Sequence, residues 1–237
     1  MDPIKKTIMR ILMSLGILLA LAGFSYAQTV SIPEFLVTWS ANSYVPADYQ
    51  GKIFPSKSSQ VKIGLDLIDK NRIADLSGAN ISWFLNDTFI RSGIGLKNIN
   101  LNINRELNQN IRISITDYAD DELDHIFVLP VANPEIVIDT KNPLLLSHNQ
   151  IQLPAKDHLF EARPFFFNIS NLNELSFKWR IGNKLVSGEA GSPEFLNLNF
   201  EATGGAAKET QLTLSVSAAN INNQFEFSSK SYNFLAK

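Results

Sequence analysis

The chain contains the same tryptophan-centred hairpin twice, and this duplication restricts the fold more than any other feature. Trp83 and Trp179 each lie in a short apolar run that is followed by a two-residue turn and a second run. The two tryptophans are 96 positions apart, and Gly95 and Gly191, beyond the hairpins, keep the same separation. The turn pairs are Asn86-Asp87 and Gly182-Asn183, which suit the positive φ angles of tight hairpins. The sequence therefore predicts two similar β-rich units.

Alternating apolar and polar residues extend the repeat on both sides of the hairpins, as is typical of strands that bury one face. Matching segments follow the hairpins at 99–103 and 196–200, offset by 97, and at 111–115 and 212–216, offset by 101. Further strands are predicted at 61–67 and 165–169 before the hairpins, at 35–39 and 135–139, and at 125–129 and 225–234. About seven short strands per roughly 100 residues indicate Greek-key β-sandwiches.

The N-terminus has the order of charge, apolar run and small residues that is typical of a secretory signal peptide. Three basic residues within the first ten precede an apolar run at 11–24, and Ser25 and Ala27 supply small side chains for a signal peptidase. The run is shorter than the roughly 20 residues of a spanning helix. We therefore expect cleavage after Ala27, with an uncleaved N-terminal anchor as the alternative. Either outcome predicts a body outside the cytoplasm, in a secreted, periplasmic or cell-surface protein with no later membrane span.

The two copies meet at Asn133-Pro134. Proline lacks a backbone N–H and restrains the residue before it, so it cannot continue a central strand. The predicted organisation is a signal peptide at 1–27, one β-sandwich at 28–133 and a second β-sandwich at 134–237.

Charge and cysteine content exclude several classes of function. The formal net charge is -2, so no basic surface is expected to attract nucleic acid or an anionic membrane. Cysteine is absent, which rules out thiol catalysis, thiolate zinc sites, a lipid anchor on cysteine and small disulfide-stapled folds. The units must therefore be stabilised by packing alone.

The tryptophans in the third strand of each copy, and the strand order around them, resemble tandem immunoglobulin-like or PKD-like modules of bacterial exported proteins. The resemblance covers most of residues 30–237 and is one of fold, and the pair is also similar to uncharacterised two-domain secreted proteins. The PKD signature Trp-Asp-Phe-Gly-Asp-Gly is absent at both Trp83 and Trp179, as is the antibody disulfide. The resemblance implies an all-β chain of two tandem immunoglobulin-like Greek-key β-sandwiches, of a kind that serves as spacers, adhesins or assembly subunits.

The alternation of apolar and polar residues predicts whether six aromatic side chains lie in a core or at a contact surface. Trp83 and Trp179 share the inward phase of their apolar neighbours, so we predict them in the two cores and not on a sugar-binding surface. The segment 42–59 is longer than a usual strand connection, and its aromatic residues either contact a partner or, as we favour, cap the sandwich. One residue of the run 165–167 cannot point inward on a flat strand and packs locally, on the other unit or on a partner. The candidate partner contacts are Tyr44, Tyr49, Phe54 and Phe166.

No arrangement of residues indicates catalysis, a cofactor or a bound metal. His125, His148 and His158 show no metal-ligand spacing, and no Gly-x-Ser-x-Gly motif is present. Five carboxylates at 117–124 lie between two predicted strands, but their spacing fits no EF-hand loop. We interpret them as a solvated hairpin tip, with a calcium site as the alternative.

These observations favour an exported, non-enzymatic protein of the cell surface or envelope with a structural or adhesive role. Such a protein would present loops and sheet edges to a protein or polysaccharide partner. The alternatives are a carbohydrate- or small-ligand-binding module and an accessory subunit of a pilus or secretion assembly that pairs through a strand edge.

Overall fold

The computed structural model describes residues 32–119, 121–140, 145–147, 150–153, 157–199 and 210–236, and most of these lie in β-strands. The predicted signal segment, Asp120 and His148 lie outside the described residues. One short 3₁₀ turn, η1 (Leu172–Glu174), is the helical element within the described ranges.

The first unit is a sandwich of two antiparallel sheets. Its strands are β1 (Glu34–Ala41), β2 (Gln60–Asp69), β3 (Arg72–Ile73), β4 (Asn80–Leu85), β5 (Thr88–Ile94), β6 (Asn98–Asn102), β7 (Gln109–Tyr118) and β8 (Asp121–Leu129). In one sheet β2 pairs with β1 on one side and with β6 and the short β3 on the other. The other sheet has the order β5-β4-β7-β8. The chain crosses between the sheets at β3–β4, β5–β6 and β6–β7, which is a Greek-key connection.

The second unit repeats this arrangement with two added strands. Its strands are β9 (Glu135–Thr140), β10 (Leu145–Ser147), β11 (Gln150–Leu153), β12 (Asp157–Phe165), β13 (Leu175–Ile181), β14 (Lys184–Val186), β15 (Phe195–Asn199), β16 (Thr210–Asn220) and β17 (Asn223–Ala236). The smaller sheet has the order β15-β12-β9 and the larger has the order β10-β11-β17-β16-β13-β14. The added strand β11 pairs in parallel with the end of β17. The chain therefore forms two successive immunoglobulin-like β-sandwiches, and the predicted all-β fold class is confirmed.

Each sandwich has its own hydrophobic core around a tryptophan. In β4 the sequence Asn-Ile-Ser-Trp-Phe-Leu alternates, so Ile81, Trp83 and Leu85 point into the first core. Trp179 on β13 is the corresponding residue of the second core. Both tryptophans are 0% exposed.

The predicted strand at 165–169 is wrong. The strand before the second hairpin is β12, which pairs with β9 and ends at Phe165. Phe166 has a φ angle of 60°, a left-handed conformation that a strand does not accommodate. The chain therefore turns at Phe166, and Phe167 is buried in the second core.

The predicted offset of 101 between the strands after the hairpins is also wrong. Trp83 pairs with Ile113 and Trp179 pairs with Val216, so the equivalent positions are 103 apart. A pattern of period two identifies a strand and its buried face but permits a slip of two residues between copies.

Candidate binding surfaces

The four aromatic residues proposed from the sequence as contacts lie where the two units meet. The backbone N–H of Tyr44 donates to the carbonyl of Phe167 over 2.7 Å, and the N–H of Phe166 donates to the carbonyl of Tyr44 over 2.7 Å. These two bonds form an antiparallel bridge between segment 42–59, here called the junction loop, and the chain just after β12.

Aromatic side chains pack around this bridge. Tyr49 makes edge contacts with Phe165 and Phe166, with ring centroids 5.7 and 6.1 Å apart. Phe54 contacts Phe166 at 5.9 Å and Trp39 on β1 at 5.9 Å. Aromatic pairs of this kind contribute about 0.5–1.5 kcal/mol each beyond the area they bury. The turn at Phe166 thus places a ring of the second unit among rings of the first.

An ion pair adds to the contacts between the units. Arg163 on β12 contacts the carboxylate of Asp48 in the junction loop, and its other nitrogen lies 3.4 Å from Asp139 on β9. The Arg163 side chain is 21% exposed but that of Asp48 is 70% exposed, so solvent screens the pair and it contributes more to positioning than to stability. The contact therefore favours one orientation of the junction loop on the second unit.

The junction loop is also tied internally and to the linker between the units. Ser56 is buried, and its N–H donates to the hydroxyl of Ser43 over 3.1 Å. The N–H of Ala132, which follows β8, donates to the carbonyl of Pro55 over 2.8 Å. A connection of this length is therefore held in place along its course, although it contains no regular strand.

The electrostatic surroundings of Tyr44 keep its phenol protonated. Burial raises the pKa of Tyr44 above its ordinary value, and the carboxylates of Glu194 and Glu161 raise this pKa further, whereas Arg163 lowers it. A phenol with a raised pKa is a poor general base at neutral pH. Its place at the junction is consistent with packing.

A groove of about 430 Å³ lies beside the linker, with walls from both units. Its lining residues are Lys57, Ser58, Glu106, Asn133, Pro134, Asn223, Phe225, Glu226 and Phe227. On the first wall the Lys57 ammonium lies 3.0 Å from the Glu106 carboxylate, so the two charges largely neutralise one another. On the second wall Phe225 is 91% exposed and Phe227 is 64% exposed. Exposed rings beside polar groups are a common feature of contact surfaces.

Glu226 explains why these two phenylalanines face solvent. It is 6% exposed, and its carboxylate accepts hydrogen bonds from the Asn168 N–H at 2.5 Å and the Asn220 amide at 2.6 Å. Strand neighbours point to opposite faces, so a buried Glu226 requires Phe225 and Phe227 on the outside. The pairing of β16 with β17 shifts register between Ala219 and Asn220. This shift allows Glu226 to point inward while Phe225 and Phe227 point outward.

The sequence reasoning missed Phe225 and Phe227 as exposed residues. A signal was present within the closing strand, because aromatic residues occupy odd positions at 225 and 227 but even positions at 232 and 234. One of the two sets must face outward on a regular strand.

The remaining candidate residues are not brought together. His125 stacks on Phe35 in the first unit, with ring centroids 4.9 Å apart, whereas His158 is buried in the second unit near Phe160. The described carboxylates of the acidic segment lie at the end of β7 and the start of β8, with Asp117 in a left-handed conformation. Among the described residues no group of three or more acidic or histidine side chains is placed to hold a metal ion. Within the same residues no helix has the length and apolar character needed to cross a membrane.

Comparisons with known proteins give distant structural similarities. No family model and no curated protein matches the sequence. The chain is similar to fibronectin(III)-like modules of CbhA from Clostridium thermocellum, at 13% identity and a TM-score of 0.30, over 85% of this chain and 94% of that one. It is also similar to SGBP-B of the Bacteroides ovatus mixed-linkage glucan utilization locus, solved with a mixed-linkage heptasaccharide, at 13% identity and a TM-score of 0.25, over 87% of this chain and 47% of that one. A third similarity is to a C-terminal fragment of intimin in complex with its receptor domain, at 12% identity and a TM-score of 0.24, over 83% of this chain and 63% of that one. At these values the similarities identify neither a family nor a ligand for this chain.

Proposed function

We propose that this chain is an exported, non-enzymatic protein of the cell surface or envelope with a structural or adhesive role. Its two sandwiches form a semi-rigid rod that presents loops and sheet edges to a protein or polysaccharide partner. The observation that supports this proposal is the contact between the junction loop and the second unit, centred on Tyr44 and Phe166.

A joint of this kind suits a protein that presents contacts at a fixed spacing. Units connected only by a covalent linker usually move relative to one another. Here the Tyr44 bridge, the ring of Phe166 and the Arg163 ion pair oppose such motion. Tyr44, Tyr49, Phe54 and Phe166 therefore contribute to partner binding mainly by holding the walls of the adjacent groove in one arrangement.

The partner surface in this proposal is the groove beside the linker. Phe225 and Phe227 offer exposed rings, and exposed aromatic residues are enriched in the centres of interfaces. The groove contains no concentration of unpaired charge on its first wall, since Lys57 and Glu106 neutralise one another. A largely neutral partner surface fits this lining.

Binding to a native envelope fraction tests the proposal. Purified protein carrying Phe225→Ser and Phe227→Ser should lose at least tenfold in apparent affinity for the fraction that binds the parent. Ile221→Ser is the matched control, because Ile221 is exposed on the same β16–β17 hairpin but does not line the groove. Equal binding by the parent and the double variant would contradict the groove as the contact surface.

Export is tested separately. The N-terminal sequence of the protein recovered outside the cytoplasm should begin at Gln28, because Ser25 and Ala27 define the expected cleavage position. Recovery of an intact N-terminus in the membrane fraction would favour the anchor, and recovery in the cytoplasm would contradict export.

Carbohydrate binding is a second candidate function, and one observation favours it. The groove combines the rings of Phe225 and Phe227 with the amides of Asn133 and Asn223, and sites for small ligands combine apolar walls with a few polar groups. Calorimetry with soluble envelope polysaccharide would distinguish this function from protein binding. Heat release that disappears in the Phe225 and Phe227 double variant would support it.

A further inference from the structure

The outer face of the sheet β5-β4-β7-β8 carries a row of side chains that crosses all four strands and is apolar on three of them. The strand register places Phe84 opposite Phe89 on one side and opposite Arg112 on the other, and it places Arg112 opposite Ile126. At the two ends of this row, Phe89 is 57% exposed and Ile126 is 61% exposed. Val128 on the last strand is exposed beside the row.

Contacts within the row hold its central residues in place. The rings of Phe84 and Phe89 meet edge to face, with centroids 5.7 Å apart. The Arg112 guanidinium lies 3.6 Å from the Phe84 ring centre, and one of its nitrogens is 3.8 Å from Asp124. Arg112 is thus held in position by a ring and a carboxylate. The side chains of the row therefore have a fixed arrangement before any partner binds.

A polar row runs beside the apolar one. Ser82 pairs with Ser92 on β5 and with Ser114 on β7, and Ser114 pairs with Asp124 on β8. An apolar strip next to hydroxyl and carboxylate groups resembles the centre and rim of a protein interface.

The second unit lacks this apolar row, although it has the same fold. The corresponding row contains Leu185, Arg180, Ser215 and Ser231, as the register of β14, β13, β16 and β17 shows. Only Leu185, which is 59% exposed, is a large apolar residue there. The fold therefore does not require apolar residues on this face, and the row in the first unit needs another explanation.

We propose that two copies of the chain associate face to face through this sheet of the first unit. The contact is a different surface from the groove, so the proposal stands independently of the partner proposed above. In this dimer the apolar row of each copy is buried, and the junction and the second unit take no part in the contact.

The order of residues in the two rows fits a second copy. Consider a two-fold axis parallel to the strands and midway between β4 and β7, which brings β5 of one copy over β8 of the other. Phe89 then faces Ile126 of the second copy, and Phe84 faces Arg112 of the second copy, so apolar ends meet and a cation meets a ring. In the polar row Ser92 faces Asp124 of the second copy, which places a hydroxyl donor against a carboxylate.

These pairings make the face complementary to itself, as a two-fold interface requires. Sheets that pack face to face keep their strands within about 30° of one another, and an axis parallel to the strands satisfies this condition. A polysaccharide fits the row less well, because Ile126 and Val128 offer no ring on which a sugar could stack.

The size of the face predicts a weak dimer. Four strands at about 4.8 Å spacing and five residues of strand length define an area about 14 by 17 Å. This footprint lies below the about 800 Å² per partner that a standard stable interface buries. We therefore expect association that depends on concentration.

Sedimentation velocity of the purified protein over a wide range of concentration tests the proposal. The parent should shift from monomer to dimer as concentration rises. Phe89→Ser and, separately, Ile126→Ser should each raise the dimer dissociation constant at least tenfold. Leu185→Ser, which removes the equivalent exposed side chain from the second unit, should leave the constant unchanged.

Thermal unfolding of the same variants separates association from folding, because exposed apolar residues are removed at little cost in monomer stability. If Phe89→Ser alone fails to fold, Ile126→Ser still decides the matter. A parent that stays monomeric at every concentration would overturn the proposal. A dimer that Leu185→Ser disrupts as strongly as Phe89→Ser does would also overturn it, since the contact would then lie on the second unit.

Discussion

Trp83 and Trp179 occupy the same position in the two sandwiches and make the same hydrogen bond. The indole N–H of Trp83 donates to the carbonyl of Leu96 over 2.9 Å, and that of Trp179 donates to the carbonyl of Pro193 over 3.0 Å. In both units the bond joins the strand that carries the tryptophan, β4 or β13, to the chain that follows the hairpin. The repeated hairpin therefore includes a repeated hydrogen bond that fixes the loop after the hairpin.

Truncation of either tryptophan should destabilise its own sandwich. Trp83→Ala or Trp179→Ala should lower the free energy of unfolding by about 3–5 kcal/mol, because each removes a fully buried aromatic side chain. Trp83→Phe, which keeps a ring and loses the bond to Leu96, should cost less. Denaturant unfolding followed by circular dichroism measures the difference, and parental stability in both alanine variants would contradict the buried placement.

Glu226 should be required for the shape of the β16–β17 hairpin. Glu226→Ala removes the acceptor of the Asn168 N–H and one of the two acceptors of the Asn220 amide, and an unmet buried donor costs about 1–3 kcal/mol. Glu226→Gln keeps one acceptor oxygen but presents an NH₂ group, so it should lie between the parent and Glu226→Ala. Chemical denaturation gives the ranking. An alanine variant as stable as the parent would show that the carboxylate is not needed.

Phe166 should couple the two sandwiches. Phe166→Ala removes its ring contacts with Tyr49 and Phe54 but leaves both cores intact. We therefore expect the two units to unfold in more clearly separated transitions than in the parent, as seen by differential scanning calorimetry. Phe225→Ala, which removes an exposed ring outside the joint, is the control and should leave the calorimetric profile unchanged.

Each half should fold alone if the boundary at Asn133-Pro134 divides two domains. Residues 28–133 and 134–237 should each give β-rich circular dichroism and a cooperative transition. The second half should melt below its temperature in the full chain, because Tyr44 packs against its core from the first unit. If neither half folds, the two sandwiches are not independent domains.

Alkaline pH should weaken the joint through Tyr44. Burial raises the pKa of this phenol, so the folded protein holds the proton more tightly than the unfolded chain does. This contribution to stability is therefore fully present below the unfolded pKa of about 10 and is lost as pH rises through the higher folded pKa. Tyr44→Phe removes the ionisable group and should reduce the loss of stability above pH of about 10, as measured by thermal unfolding across that range. An unchanged pH profile in Tyr44→Phe would contradict this role.

The fold class could be predicted from the sequence because the strands are amphipathic and their pattern occurs twice. Alternation identified the faces around Trp83 and Trp179, but it could not fix the pairing of Trp179 with Val216, since a slip of two residues keeps every face. The turn at Phe166 was missed because a left-handed φ is normally signalled by glycine or asparagine.

The contact surfaces were harder to predict than the fold because they depend on distant parts of the chain. Tyr44 meets Phe167 across more than a hundred positions of sequence. The burial of Glu226 depends on Asn168, which lies 58 residues away. The row through Phe84 and Arg112 appears only when four strands are placed in register.

The bridge at Tyr44 also determines how mechanical load would pass through the molecule. β1 leads directly into the junction loop, so a pull on the start of β1 reaches the second unit through Tyr44 and Phe167 as well as through the covalent linker after β8. These two routes lie in parallel, and the shorter one bypasses most of the first sandwich. Under tension the bridge would bear force before the first sandwich has to open, and its rupture would transfer the load to the linker after β8.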